Sequence, residues 1–214
     1  EKLGVEVVQS IYFNSARALI SKGLISDAKK QLINSAKALQ NIPENIPVIG
    51  IEPSAILGFR DEYTSLFPND TFWTNMKNRV VLVEEYLHQF FEKHPESQSL
   101  FSGKMQTIHY HGHCHQKSLS KNQYALDILA FPKNNKVVEI KSTCCGMAGS
   151  FGYEKEHFEV SQKIAHLALI PAVEKADKTD TISASGFSCQ HQIKDFSGKT
   201  ALHPVSVLLN FIAL

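Results

Sequence analysis

Strand-sized β-branched runs alternate with helix-sized amphipathic runs through the second half of the chain, and this order limits the fold more than any other feature. "TIHYHGH" (107–113) reads as a short strand. "SLSKNQYALDILA" (118–130) reads as a helix with Tyr124, Leu126 and Leu129 inward, and "KVVEI" (136–140) as a buried strand. "EKEHFEVSQKIAHLALIPAVEKA" (154–176) predicts a long helix with Val160, Ile164, Leu167 and Ala168 on one stripe. Glu154 and Glu156 fall in its first turn, where the helix dipole favours negative charge, and Pro171 predicts a kink or a new turn. "DTISAS" (180–185) and "TALH" (200–203) follow as strands, and "PVSVLLNFIAL" as a closing helix with proline near N1. Strands alternating with helices imply right-handed crossovers and a parallel sheet, hence an α/β fold with Rossmann-like βα order.

That topology orders the cysteines. All four (Cys114, Cys144, Cys145 and Cys189) lie in the second half; Cys114 follows the first strand, the Cys144–Cys145 pair the second and Cys189 the third, while His203 ends the fourth. Loops after the carboxyl ends of parallel strands share one edge, so dispersed thiols meet there. Thiols confined to strand-end loops do not resemble a secreted disulfide scaffold; they point to a reducing, cytoplasmic setting and to metal or redox chemistry. Three uses remain open: an iron–sulfur cluster, zinc, or a dithiol/disulfide pair. Structural zinc sites pair ligands as C-x(2–4)-C, whereas adjacent cysteines diverge and suit several metal atoms, so spacing favours a cluster. Gly146 and Gly149 would let the backbone approach a cofactor and present amide donors to its sulfurs. His113, His115 and His191 flank the thiols and are candidate mixed ligands; His109 and His111 read as polar strand residues.

The first half echoes the second. "SDAKKQLINSAKALQ" (26–40) predicts a helix capped by Ser26, with Leu32, Ile33, Ala36 and Leu39 inward. "IPVIGIE" (46–52) reads as a buried strand and "VVLVEEYLHQFFEK" (80–93) as an amphipathic helix with Glu84 and Glu85 on its solvated face. Trp73 is assigned to the core or a seam between lobes. Setting Asn14-Ser15-Ala16 against Cys144-Cys145-Gly146 brings Pro53-Ser54-Ala55 near Phe187-Ser188-Cys189. The expectation is two related α/β lobes: residues 1–100 without thiols, their opening strand upstream of Glu1, and residues 101–214 with the cysteine site. The chain opens without methionine, which reads as a piece of something longer.

Composition excludes some functions. With a formal net charge of +1, nucleic acid and anionic membranes are not the expected partners, and no apolar run is long enough to span a bilayer. "GMAGSFG" lacks the Lys-Ser/Thr of a P-loop and the G-x-G-x-x-G spacing of a dinucleotide fingerprint.

At "HGHCHQK", "CCGMAGSFGYEKEH" and "GFSCQHQI" the chain resembles the cysteine-rich CCG domain. That module occurs in a subunit of heterodisulfide reductase, in the iron–sulfur subunits of glycolate and lactate oxidation systems, and at the end of long FAD-linked oxidases of the D-lactate dehydrogenase type. The wording is most similar to the last group. The resemblance covers residues 107–210, with "ARALISKGLISDAKK" and "IEPSAILGFRDEY" carrying it in the first half. It implies an electron-transfer module whose ligands are Cys114, Cys144, Cys145 and Cys189, holding an iron–sulfur cluster (in some members a noncubane 4Fe–4S) or, in related lobes, zinc. It also implies a flavin domain of the same parent chain or a flavoprotein subunit as donor, FAD residing there, and a separate electron acceptor, in the cytoplasm or membrane-associated through a partner. Two departures stand out: Gln192 occupies the place of a second thiol in the usual C-x-x-C ending, and Asn14, Ser15 and Ala55 stand where first-lobe cysteines are expected.

Overall fold

The computed structural model describes residues 2–9 and 12–212. Its first half runs α1 (Arg17–Ser21), α2 (Ile25–Ala36), β1 (Val48–Gly50), α3 (Pro53–Ile56), a 3₁₀ turn (Leu57–Arg60), α4 (Glu62–Leu66), α5 (Thr71–Arg79), β2 (Val80–Leu82) and α6 (Val83–Lys93). The second runs β3 (Gln106–His111), α7 (Cys114–Leu119), α8 (Asn122–Ala130), β4 (Asn135–Glu139), α9 (Phe158–Lys175), β5 (Thr181–Ala184), α10 (Phe187–Ser197), β6 (Ala201–Leu202) and α11 (Pro204–Leu209). The fold is α/β with parallel sheets: β1 pairs with β2, and the four later strands are ordered β4-β3-β5-β6, every pair parallel.

Several local expectations shift. Residues 80–82 form a strand ahead of α6 because Val80 and Leu82 are fully buried beside β1, a demand that overrides their helical periodicity. Glu84 and Glu85 are buried, not solvated. The strand expected over 46–52 is short and half-exposed, since its two-stranded sheet covers one edge alone. β4 is likewise an edge strand with partly exposed valines. α2 begins at Ile25, after Leu24 rather than Ser26, and Ile33 is 52% exposed while Ala28 joins Leu32, Ala36 and Leu39 inside. The run 118–130 is interrupted between α7 and α8 at Ser120, whose extended backbone sends its hydroxyl to Glu85.

α9 starts at Phe158, not at Glu154, and turns a different stripe inward: Ser161, Ala165, Leu169, Ile170 and Val173. Val160 and Leu167 face outward, Leu167 being 78% exposed. The helix is apolar on most sides, so packing against Ile182, Ala184 and Ile193 chose the phase; burying Leu169 contributes about 2 kcal/mol. Pro171 sits inside the helix. It cannot donate to the carbonyl of exposed Leu167, where water is available. Of the segment expected as a closing helix, Pro204–Leu209 is helical with proline at N1, and Ala213 and Leu214 lie outside the described residues.

The second sheet is sandwiched. α9 and α10 cover one face through Ala165, Leu169, Ile193 and Cys189. α8, α11 and Phe91 of α6 cover the other, against Ile108 and Tyr110. A separate core gathers Trp73, Tyr63, Phe59, Leu57 and Leu32, with Phe67 stacked on Trp73 at 4.8 Å.

Buried polar contacts tie the halves together. Arg60 makes a bidentate pair with Glu85, both bonds 2.7 Å, and donates to the carbonyls of Val80 (2.9 Å) and Leu119 (3.3 Å). Burial opposes ionisation of Glu85, but Arg60 and the Ser120 hydroxyl overcome it and hold the carboxyl below its usual range. Glu84 has no such cation. Its Oε1 accepts from the Ser185 hydroxyl at 2.5 Å, and its Oε2 is buried without a hydrogen-bond partner among the described residues. Burial therefore pushes Glu84 up to about 7. His203, 3.7 Å from Glu84, is pushed down by its own burial, so the contact is between two groups biased to neutrality rather than an ion pair.

A native carboxyl that holds its proton more tightly than the unfolded one stabilises fully below the unfolded pKa, and that contribution is lost as pH rises through the folded value. Glu84→Gln should accordingly gain stability relative to wild type as pH rises from about 4.5 to about 7, by on the order of 3 kcal/mol at most. Urea melts at pH 5 and pH 8 check this: an unchanged difference between the two proteins at both pH values rules out a buried neutral Glu84.

Candidate metal centre

Each cysteine is set by the end of a parallel strand. β3 delivers His111, then Gly112, where a Cβ would lie 2.0 Å from Asn122 Oδ1, so the chain turns without a side chain. His113 caps α7, its Nδ1 accepting from the His115 amide at 3.1 Å, and Cys114 opens that helix. Beyond β4, the Ile140 amide still donates to Tyr110 O at 2.8 Å, which extends the sheet toward the cysteine pair. Lys117 then donates to the carbonyls of Ser142 and Thr143 and holds the loop. Gly146 follows the pair at φ +96°, where an added Cβ would lie 2.3 Å from Ser161 O. Its amide donates to Cys144 Sγ at 3.2 Å. β5 leads through Ser185 and Gly186 to α10, which carries fully buried Cys189.

The four thiols are free and meet as a chain. Cys114 Sγ is 3.8 Å from Cys144 Sγ, and Cys189 Sγ is 3.3 Å from Cys145 Sγ. The adjacent Cys144 and Cys145 thiols interact in turn, joining the two pairs. Protons are shared along this chain. Cys144 is drawn down by hydrogen bonds from Cys114 and Cys145, and Cys189 by that from Cys145 and, against its burial, by the His111 ring. The same contacts, with burial, push Cys114 and Cys145 up. Touching thiols cannot all ionise together; a thiophilic cation removes that constraint and takes all four as thiolates. The donor set therefore fits a bound metal.

The other anticipated residues divide. Gly146 lies with the sulfurs. Gly149, at φ +72°, packs instead against Ser21 of the first half. His113 is buried and committed at Nδ1 to its helix cap. His115 turns to the first half, its Nε2 3.3 Å from Arg17 and 3.6 Å from Glu62. His191 lies on the outer side of α10, its Nδ1 3.1 Å from the Tyr153 hydroxyl and its ring against Phe187. His109 pairs with Asp180 at 2.8 Å.

One residue read as an ordinary strand position belongs here. His111 is fully buried, and one of its ring nitrogens, Cys145 Sγ and Cys189 Sγ all lie within 4.8 Å of one another. The available signal was its place as the last residue of β3, three residues before Cys114.

The first half repeats the turn without the sulfur. The Ala16 amide donates to Asn14 Oδ1 at 3.0 Å, as Gly146 does to Cys144, and Ala16 too has positive φ, +51°. Where Cys145 and Cys189 meet in the second half, the matched Ser15 and Ala55 are joined by Tyr63, whose hydroxyl lies 2.7 Å from Ser15 O and 3.2 Å from Ala55 O.

No family model matches the chain, and no solved structure matches it. It is similar to D-2-hydroxyglutarate dehydrogenase of Pantoea ananatis, 29% identical over 216 residues, and of Escherichia coli, 28% identical over 214 residues. In both cases the match takes in 99% of this chain and 20% of the relative. It is also similar to a subunit of the anaerobic glycerol-3-phosphate dehydrogenase of Escherichia coli, 25% identical over 198 residues, 91% of this chain and 48% of that protein. The chain thus spans about a fifth of the length of the first relatives and about half of the other. All three relatives are dehydrogenases or a dehydrogenase subunit by name. In this chain the grouping of His111, Cys145 and Cys189 is one that could hold a metal.

Proposed function

We propose that this chain is the electron-transfer module of a flavin-linked 2-hydroxyacid oxidoreductase, and that Cys114, Cys144, Cys145 and Cys189 hold an iron–sulfur cluster. The observation that carries the reading is that free thiols from three strand-end loops meet in two contacts, Cys114 with Cys144 and Cys145 with Cys189, on one edge of the sheet. The names of the relatives supply the oxidoreductase context. A bound cluster would supply one-electron storage and transfer. The protein's part is to hold it: loops braced by Lys117, the Gly146 amide directed at Cys144, and burial of Cys145 and Cys189. FAD, in a flavin domain of the same parent or a partner subunit, would supply oxidation of the hydroxyacid, and the electrons would pass on to a separate acceptor. Among the described residues no helix is long and apolar enough to cross a membrane.

A second reading, a zinc-stabilised docking or assembly module, is favoured by one distance. Two thiolates on one tetrahedral zinc, each about 2.3 Å from the metal, sit about 3.8 Å apart, the separation of Cys114 and Cys144.

Anaerobic purification decides between them. Visible absorbance with iron and acid-labile sulfide supports the cluster; a colourless protein with stoichiometric zinc overturns it in favour of the second reading. Cys145→Ser should lose more than nine-tenths of the bound metal while Trp73 fluorescence stays native; metal content equal to wild type would remove Cys145 from the ligand set. Mixed with D-2-hydroxyglutarate and an artificial electron acceptor, this chain alone should show no turnover. Activity without added flavoprotein would contradict the division of labour.

A further inference from the structure

We propose that His111 is a fifth protein ligand of this centre, binding through Nε2, so that the metal is held by mixed thiolate–imidazole donors. The inference rests on the metal-centre reading above and specifies its ligand set.

Four observations lead there. His111 ends β3 and pairs in register with Ala184, so it shares the sheet face of the core cluster that contains Cys145 and Cys189. Its Nδ1 is fixed by Ser142 Oγ at 2.7 Å, two residues before Cys144 in the ligand loop. Its Nε2 is buried and has no hydrogen-bond partner among the described residues, a state that is rare in folded proteins. Finally, one ring nitrogen lies within 4.8 Å of both sulfurs. With Nδ1–H donating to the serine hydroxyl, the lone pair rests on Nε2, the arrangement by which a hydrogen bond at one nitrogen prepares the other for a metal.

The neighbouring histidines are not equivalent. His113 spends its Nδ1 on a helix cap, His115 faces Glu62 and Arg17, and His191 is held on the outer side of α10 by Tyr153. Gln192, one turn beyond Cys189, donates to Ser161 O (3.3 Å) and Ser161 Oγ (3.0 Å) and so is directed elsewhere. His111 is thus the nitrogen donor that the fold delivers to the sulfurs. An imidazole in place of a thiolate leaves the centre less negative, which raises the reduction potential of an iron–sulfur site.

The test begins with anaerobically purified wild-type protein and needs no variant. If iron and sulfide are present, pulsed EPR of the reduced protein should show a strongly coupled nitrogen. If zinc is present, its tetrahedral shell takes four donors, and X-ray absorption should show nitrogen at about 2.0–2.1 Å beside sulfur at about 2.3 Å, with His111 standing in for one thiolate. His111→Ala should remove the nitrogen signal and weaken metal retention at least tenfold against a chelator. His111→Cys should retain the metal and shift an iron–sulfur potential downward. Metal present with sulfur-only coordination in wild type overturns the assignment of His111 and leaves the four-cysteine site standing. Wild-type protein holding neither iron nor zinc overturns both.

Discussion

In the second sheet Tyr110 of β3 lies beside Glu139 of β4 and Ser183 of β5, and one residue on, His111 lies beside Ala184. Three strands therefore finish within a residue or so of each other at the same edge. A stagger of one residue in such a parallel ladder would turn side chains to the wrong face. Cys114 opens the helix after β3, Cys189 lies early in the helix after β5, and the cysteine pair follows the extension of β4. A slip of one residue in β3 would exchange His111 for Tyr110 on the face of Cys145 and Cys189, and would also bury a histidine against Phe91.

Polar groups of the first half fix the same edge from the other side. Glu52 accepts from the Ser54 amide within its own turn and from the Phe187 amide at the start of α10, 2.8 Å away. The helix bearing Cys189 is thus located by a carboxylate from the first half. Ser185 is bonded both to Glu84 and to the Tyr110 hydroxyl, which in turn donates to Gln116 of α7. This connected set joins α6, β3, α7 and the β5–α10 turn without crossing the sulfurs. It gives physical content to the burial of Glu84: a carboxyl that keeps a proton can sit in such a network without a cation, whereas Glu85 next to it stays ionised and requires Arg60.

The fold class and the cysteine edge were legible because they depend on order and period: strand, helix, strand, with thiols after each strand. The depth of burial was not. Glu84-Glu85 has the charge of a solvated face, and only the two-stranded sheet and the contacts with Arg60, Ser120 and Ser185 make it interior. The phase of α9 was equally hidden, since Val160-Ile164-Leu167 and Ala165-Leu169-Val173 are both apolar stripes, and small Ala165 lets the helix approach the sheet. His111 was obscured by company. In "HYHGHCHQ" four histidines compete, and strand direction, helix capping and Ser142 decide which one turns toward the sulfurs.

The two halves show what the metal would replace. In the second, the loops bearing Cys145 and Cys189 approach until sulfur meets sulfur, and the contacts that draw Cys144 and Cys189 down push Cys114 and Cys145 up. A cation bound there would take the place of the shared protons. In the first, the corresponding backbone is drawn together by Tyr63, whose buried hydroxyl serves Ser15 and Ala55 and whose ring packs on Phe59 at 4.9 Å and Trp73 at 5.6 Å. The phenol does with covalent structure what a metal would do with coordination, and Asn14 supplies the turn's acceptor in place of a thiolate. Two similar turns can thereby coexist in one chain with opposite requirements. One closes on its own aromatic core, and the other closes on sulfur–sulfur contacts that a thiophilic centre would bridge.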